Sequence, residues 1–269
     1  MDNLLPEQDE REDCREKILS NDYYDIVKDF IEQPEDSERE ETDYCIQRIT
    51  ATYGIIHIAS RTLPLLDYMR YSYTLMPVLY ALVAPIEQDT GSLGESGILT
   101  LQAPPLSLRG RGVLIGYIDT GIAYQNDIFR YPDGSSRIAA IWDQTIQTGT
   151  LPQGFLYGSE YRQEQINEAL QSENPYEIVP SRDDNGHGTA MAGVYAAPEA
   201  SIAMVKLKPA KQYLREFYRI REDAIAYQET DVLMGVKYLD ELATELDRPL
   251  VICIGLGTNT GDHTGTSVL

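Results

Sequence analysis

The pattern of apolar residues divides the chain into two parts. In the second part, runs of mainly apolar residues alternate with longer segments in which apolar or small residues occupy one helical face. The apolar runs predict strands at 113–118, 137–142, 201–207 and 250–254, and the longer segments predict helices at 187–197 and 231–246. Apolar strands separated by helices predict an α/β domain, built on a parallel sheet that is covered by helices on both faces.

Residues 20–83 have the pattern of a smaller α/β unit. Apolar residues three or four positions apart predict helices over 22–33 and 62–71. Apolar and β-branched runs predict strands over 45–50, 54–59 and 73–83. About 60 residues can bury only a modest core, so we expect this unit to accompany the large domain rather than to stand alone.

Amino-acid composition predicts the remaining domain boundaries. Residues 84–110 are rich in Pro and Gly, which predicts a turn-rich linker. Residues 1–19 are strongly charged and acidic, which predicts a loosely ordered N-terminus. The large domain is then expected to occupy 111–269.

Charge and cysteine content exclude several classes of partner and site. The net charge of −21 would repel nucleic acid and anionic membrane surfaces. The sequence has no basic-then-apolar leader and no run of about 18 apolar residues, so we expect no classical secretion and no membrane span. Its three cysteines are odd in number and lack metal-ligand spacing, which predicts reduced thiols rather than a disulfide framework, with no metal or other cofactor.

Two short segments carry the candidate chemistry. Segment 112–121 is an apolar strand that ends in Asp119 and continues as a Thr-Gly turn. Segment 184–189 holds His187 between two glycines, at the start of a helix of small residues. An imidazole that accepts a proton during catalysis needs a carboxylate to hold its tautomer and offset its charge. We therefore expect Asp119 and His187 to lie within hydrogen-bonding distance, at about 2.6–3.2 Å.

Each of these residues also has a simpler interpretation. An Asp at the end of an α/β strand is common, and Asp-Thr-Gly also occurs in aspartic proteases, which here would require a homodimer. A single His is usually a structural residue, and His57, inside a predicted strand, is interpreted that way. The two segments together favour catalysis, because Asp before His is the chain order of the subtilisin-like triad.

The chain resembles the subtilases, the subtilisin-like serine proteases, through Ile-Asp-Thr-Gly-Ile at 118–122 and Gly-His-Gly-Thr at 186–189. Further segments resemble the Csp-type germination proteases of spore-forming clostridia and their relatives: 133–138, 141–145, 157–161, 166–170 and 255–263. The resemblance implies a subtilase-type parallel sheet flanked by helices, incomplete in this chain and preceded by a small α/β prodomain.

The resemblance also implies an activity. It indicates a serine endopeptidase acting on a protein or peptide substrate, such as a spore or germination protein. His187 would be the general base and acid, Asp119 its orienting carboxylate, and Gly255-Leu256-Gly257 the strand that pairs with the substrate backbone. Residues 20–83 would be a prodomain that can stay bound after self-cleavage in the 84–110 linker, and the location would be cytoplasmic or spore-associated.

The expected nucleophile is not evident in the matching region. Ser267 follows Gly-Thr, but no Met-Ala helix start follows it, so we interpret it as a loop serine. Asn259 lies too early in the chain to be the oxyanion-hole residue, and both groups are expected beyond Leu269. We therefore expect the 269-residue chain to be inactive. The alternative is a non-catalytic pseudoprotease that serves as a binding or sensing module.

Overall fold

The computed structural model describes residues 8–29, 43–62, 76–83, 95–193 and 197–259. These residues form eleven strands: β1 (Tyr23–Asp29), β2 (Tyr44–Arg48), β3 (Tyr53–Ala59), β4 (Leu79–Leu82), β5 (Leu114–Asp119), β6 (Ile138–Asp143), β7 (Ser159–Arg162), β8 (Ser201–Lys206), β9 (Tyr227–Gln228), β10 (Leu250–Ile254) and β11 (Leu256–Gly257). They also form seven α-helices: α1 (Gln8–Leu19), α2 (Ile98–Gln102), α3 (Gln163–Gln171), α4 (Pro175–Ile178), α5 (His187–Ala192), α6 (Gln212–Phe217) and α7 (Glu229–Glu245).

A five-stranded sheet forms the centre of the large part of the molecule. Its strand order is β10-β5-β8-β6-β7. The first four strands of that order run parallel, whereas β7 runs antiparallel to β6. Strands β5, β6 and β8 are almost wholly buried, which explains their continuous apolar sequences. The predicted parallel sheet is confirmed for four strands, whereas the antiparallel edge strand β7 departs from it.

Alternate residues of the sheet face two separate cores. On β5, Leu114 and Ile118 belong to one core, which includes residues of α7, whereas Tyr117 belongs to the other, which includes residues of α3. Helix α7 packs very close to β5, since a Cβ placed on Gly116 would lie 2.6 Å from the side chain of Leu239. Helices therefore cover both faces of the sheet.

The smaller unit is a three-stranded antiparallel sheet with the order β1-β3-β2. Its Ile55 belongs to the same core as Leu114 of β5, so the small sheet packs against the large domain through apolar contacts. The predicted strands over 45–50 and 54–59 are confirmed, with bounds shifted by one or two residues.

Two predictions for the N-terminal region are wrong. The segment predicted as a helix over 22–33 contains strand β1, whose aromatic and β-branched residues pair along β3 from Tyr23↔Ala59 to Asp29↔Tyr53. Pairing with β3 overrides the helical spacing of its apolar residues. The N-terminus predicted to be loosely ordered contains α1, because Cys14 and Ile18 of this charged segment are buried in the core shared with the large domain.

The prediction that the cysteines are reduced thiols is also wrong. Cys14 of α1 and Cys45 of β2 form a disulfide, with their Cα atoms 5.5 Å apart. Cys253 is a free cysteine on β10. Sequence spacing could not reveal the pair, because packing of α1 against β2 and β3 brings these two cysteines together.

The segment that leads from the small unit to the large domain pairs differently from expectation. The predicted strand over 73–83 is limited to β4 among the described residues, and β4 joins neither of the two sheets above. It lies between β11 and β9 and pairs antiparallel with both. The predicted helix over 62–71 lies outside the described residues except for Thr62, and the predicted linker contains the short helix α2. Within the described ranges, no helix has the length and apolar character that crossing a bilayer requires.

Candidate active site

The candidate site lies where β5 ends and α5 begins. Asp119 is the last residue of β5 and His187 is the first residue of α5, and both are buried. The His187 Nδ1–H donates a hydrogen bond of 2.7 Å to Asp119 Oδ1. The same carboxylate oxygen accepts a 2.7 Å hydrogen bond from the backbone N–H of Thr120. The expected contact between the two motif residues is therefore present, at the carboxyl end of a parallel strand, where α/β proteins concentrate their sites.

Close backbone packing explains the glycines around this pair. Gly186 has a φ of 84°, a left-handed conformation that favours glycine, and it immediately precedes α5. A Cβ on Gly188 would lie 2.2 Å from the carbonyl oxygen of Gly121. The left-handed turn before α5 therefore favours glycine at position 186, whereas the close approach of the two segments requires glycine at position 188.

A third segment closes the site from the opposite side. A Cβ on Gly255, which lies between β10 and β11, would stand 1.8 Å from Asp119 Oδ2 and 3.1 Å from His187 Cε1. Asp119 Oδ2 is buried and has no hydrogen-bond partner among the described residues. The subtilase resemblance implied only that Gly255 pairs with substrate; the structure also places this residue against the Asp119 carboxylate.

Strand β4 fills the space between β11 and β9 next to His187, and we call this space the groove. Val83, directly after β4, donates its backbone N–H to the carbonyl oxygen of Gly255 at 3.2 Å. The carbonyl oxygen of Val83 accepts a 2.7 Å hydrogen bond from His187 Nε2. Leu82 and Ala81 pair with Leu256 and Gly257 of β11. The three residues predicted to pair with a substrate backbone thus hold a segment of the chain itself.

Strand β9 supports β4 on its other side. Leu79 and Tyr80 pair with Gln228 and Tyr227, and the carboxylate of Glu229 accepts a 3.0 Å hydrogen bond from the backbone N–H of Val78. The sequence indicated an apolar strand here but carried no signal of its partners, since both neighbouring strands come more than a hundred residues later in the chain.

The electrostatics of the pair favour a protonated imidazole. Burial by itself would lower the pKa of His187, but the hydrogen bonds to Asp119 and to the Val83 carbonyl, together with the Asp119 charge, raise that pKa above its ordinary value. Both ring nitrogens face oxygen acceptors, an arrangement that only the doubly protonated ring satisfies completely.

His57 does not belong to this site. It lies at the contact between the small sheet and the large domain, with Nδ1 2.6 Å from Asp25 and Nε2 2.9 Å from the side-chain amide of Gln47. Asp25 also forms a buried ion pair of 2.7 Å with Lys211. The structural interpretation of His57 agrees with this placement. In the described segments, no group of three His, Cys, Asp or Glu residues is arranged to hold a metal ion.

Comparison with solved structures adds one informative similarity. The chain matches the structure of the CspB protease of Clostridium perfringens with 33% sequence identity over 67% of this chain and a TM-score of 0.54. The similarity is to a subtilisin-like protease. The described sheet and its helices are compatible with a subtilase-like fold. The chain spans 36% of the length of that protease. No family model and no curated protein matches this chain.

Proposed function

We propose that this chain is the N-terminal portion of a subtilase-type serine endopeptidase. The observation that carries the proposal is the hydrogen bond of 2.7 Å between Asp119 and His187, formed beside a groove that binds an extended segment. Asp119 holds the imidazole with Nδ1 protonated, so that Nε2 is the atom available for proton transfer. In this proposal the nucleophile is a serine outside these 269 residues. Ser267, interpreted from the sequence as a loop serine, lies outside the described residues.

The proposed reaction is that of the serine-protease triad. His187 Nε2 accepts the serine hydroxyl proton as the serine oxygen attacks the carbonyl carbon of the peptide bond. The tetrahedral intermediate then breaks the C–N bond, and His187 donates the same proton to the departing amine. Water hydrolyses the acyl-enzyme in a second round of proton transfer. Asp119 keeps its charge throughout and offsets that of the imidazolium.

Backbone pairing supports the proposed substrate class. The Val83 N–H bond to Gly255 and the pairing of β4 with β11 are main-chain contacts, which any extended polypeptide can make. We therefore propose a protein or peptide substrate, with a spore or germination protein as the physiological one. The corresponding location is cytoplasmic or spore-associated.

The position of β4 supports a prodomain function for residues 20–83. In a peptidase of this kind the carbonyl group beside the catalytic histidine belongs to the bond to be cut, and here that carbonyl is the one of Val83. We propose that self-cleavage takes place at the bond between Val83 and Ala84, at the start of the 84–110 linker. The released end of the prodomain would then remain in the groove as an inhibitor.

The test uses a chain extended beyond Leu269 to include the proposed serine. We expect cleavage after Val83, detected as a new N-terminus at Ala84, and peptide hydrolysis that a serine-directed inhibitor blocks. His187→Ala should abolish both, whereas Asp184→Ala, at an exposed neighbouring acid, should leave both intact.

The opposite result identifies the alternative function. An extended chain that contains the serine motif but stays inactive after removal of residues 20–83 would indicate the non-catalytic pseudoprotease. Hydrolysis by residues 1–269 that is lost in Ser267→Ala would instead make Ser267 the nucleophile.

A further inference from the structure

The carboxylate of Asp183 accepts four hydrogen bonds close to the Asp119–His187 pair. Its Oδ1 accepts from Thr120 Oγ1 at 2.8 Å and from the Gly186 backbone N–H at 2.9 Å. Its Oδ2 accepts from both the backbone N–H and the hydroxyl of Thr189, at 2.8 and 2.6 Å. Asp183 lies four residues before His187 in the chain, yet one of its partners, Thr120, directly follows Asp119.

The two threonine hydroxyls form a cross-connection between the segment after β5 and helix α5. Thr120, after β5, accepts a 2.9 Å hydrogen bond from the backbone N–H of Gly188 in α5. Thr189, in α5, accepts a 2.9 Å hydrogen bond from the backbone N–H of Ala123 in the loop after β5. A hydroxyl has one proton to donate, and each threonine donates it to Asp183, which leaves its lone pairs for the N–H of the opposite segment.

This direction of the hydrogen bonds requires an ionised Asp183. Burial by itself would raise the pKa of Asp183, but the hydrogen bonds from Thr189, Thr120 and Gly186 lower it below its ordinary value. At neutral pH the ionised carboxylate therefore accepts hydrogen bonds and donates none, and it fixes the rotation of both hydroxyl groups. An amide in its place would direct an NH₂ group at two of the four donors.

We propose that Asp183 is a positioning residue, which acts through Thr120 and Thr189 to hold the Asp119 carboxylate and the His187 ring in hydrogen-bonding geometry. The inference rests on the proposed proton-transfer function of His187. One of these connections joins Thr120 to Gly188, the immediate neighbours of Asp119 and His187 in the chain. A shift of either segment therefore changes the 2.7 Å contact between Asp119 and His187 directly.

The contacts distinguish this function from ordinary capping of α5. A capping side chain accepts from the first N–H groups of its own helix, as Asn185 Oδ1 does with the N–H of His187 at 3.3 Å. Asp183 additionally binds Thr120 of the other segment. A cap alone would stabilise α5 without affecting its distance from β5.

The test measures the His187 ring by NMR in the 269-residue chain, in which hydrolysis is not required. The sequence has three histidines, so single substitutions of the other two assign the His187 signals. We expect a low-field Nδ1–H resonance from the Asp119 hydrogen bond in the unmodified chain. Thr120→Val and Thr189→Val should each lose this resonance and lower the pKa of His187, whereas Thr120→Ser and Thr189→Ser should retain both.

Asp183→Asn, compared with Asp184→Asn, gives a second and independent test. Both substitutions remove one negative charge from the same loop, but Asp184 is exposed, whereas Asp183 accepts the hydrogen bonds of both threonine hydroxyls. We expect loss of the resonance only in Asp183→Asn, and this pair decides the question if a valine variant does not fold. Equal behaviour of the valine and serine variants, or of the two asparagine variants, would overturn the proposal while leaving the peptidase assignment to its own test.

Discussion

His187 Nε2 lies 2.7 Å from the carbonyl oxygen of Val83, a residue 104 positions earlier in the chain. The opposite ring nitrogen, Nδ1, lies 2.7 Å from Asp119 Oδ1. A neutral imidazole has one N–H group and can donate to only one of these oxygens. The structure therefore shows both nitrogens of His187 in contact with oxygen atoms, and another group can reach Nε2 only after Val83 moves away from it.

Asp119→Asn should lower the pKa of His187. The carboxylate stabilises the protonated ring through its charge and its hydrogen bond, so the neutral amide favours the unprotonated ring. We expect this decrease in an NMR titration of the His187 ring protons. Asp133→Asn, at an exposed loop acid, is the control and should leave the titration unchanged. An unaltered pKa in Asp119→Asn would mean that the two side chains do not interact in solution.

Gly255→Ala should separate Asp119 from His187. The added Cβ would lie 1.8 Å from Asp119 Oδ2, which is too close for any contact, so the carboxylate or the backbone must move. We expect the low-field Nδ1–H resonance of His187 to disappear and the free energy of unfolding to fall by about 1–3 kcal/mol.

Gly257→Ala is the matched control for that substitution. Its Cβ would meet only a methyl group of Val83, at 3.3 Å, so the Asp119–His187 contact should survive. A Gly255→Ala variant with a normal resonance would show that the segment is looser than the structure indicates. Chemical denaturation and the same NMR spectrum provide both measurements.

Lys211→Met should destabilise the contact between the small sheet and the large domain. Lys211 forms a buried 2.7 Å ion pair with Asp25 of β1, and its removal leaves that carboxylate buried without its ammonium partner. We expect a loss of about 3–5 kcal/mol in the free energy of unfolding. The double variant Asp25→Asn/Lys211→Met should lose less free energy of unfolding than the two single variants together, because it leaves neither an unpaired carboxylate nor an unpaired ammonium group in the interior. Additive losses in a denaturation cycle would contradict a direct interaction.

Stability should decrease in mild acid because of His57. Burial lowers the pKa of His57 below its ordinary value, although Asp25 beside it acts in the opposite direction. The unfolded chain then binds a proton more readily than the folded chain. The contribution of neutral His57 to the free energy of unfolding is therefore complete above about pH 6.5 and is lost as the pH falls below that value. Loss of hydration on burial is the main reason why the protonated ring is unfavourable, and the charges of Lys211 and Lys208 add to it.

His57→Gln removes this titration, so the variant should show a shallower loss of stability between about pH 7 and pH 5 than the unmodified chain. Contributions from His187, which have the opposite sign because its pKa is raised, are common to both proteins and cancel in the comparison. Urea denaturation at a series of pH values gives the two slopes. Parallel slopes would show that His57 titrates alike in the folded and unfolded chains.

The sequence alone was sufficient for the elements whose signal is local. Strand β5 is a continuous apolar run, and an apolar run between helices has few alternatives to a buried parallel strand. The glycines around His187 mark a tight turn at a helix start, and the Asp at the end of β5 lies at the edge where parallel sheets form sites. The proximity of Asp119 to His187 could therefore be predicted from the sequence alone.

Only the tertiary structure decided what depends on contacts between distant segments. Segment 23–29 has helical spacing, yet it is a strand because β3 offers a complete set of hydrogen-bonding partners. Cys14 and Cys45 are joined because α1 packs on the small sheet. Strand β4 lies next to His187 because it pairs with both β9 and β11. In each case the stabilising partner is a segment that is remote in the chain, so local propensity cannot predict the pairing.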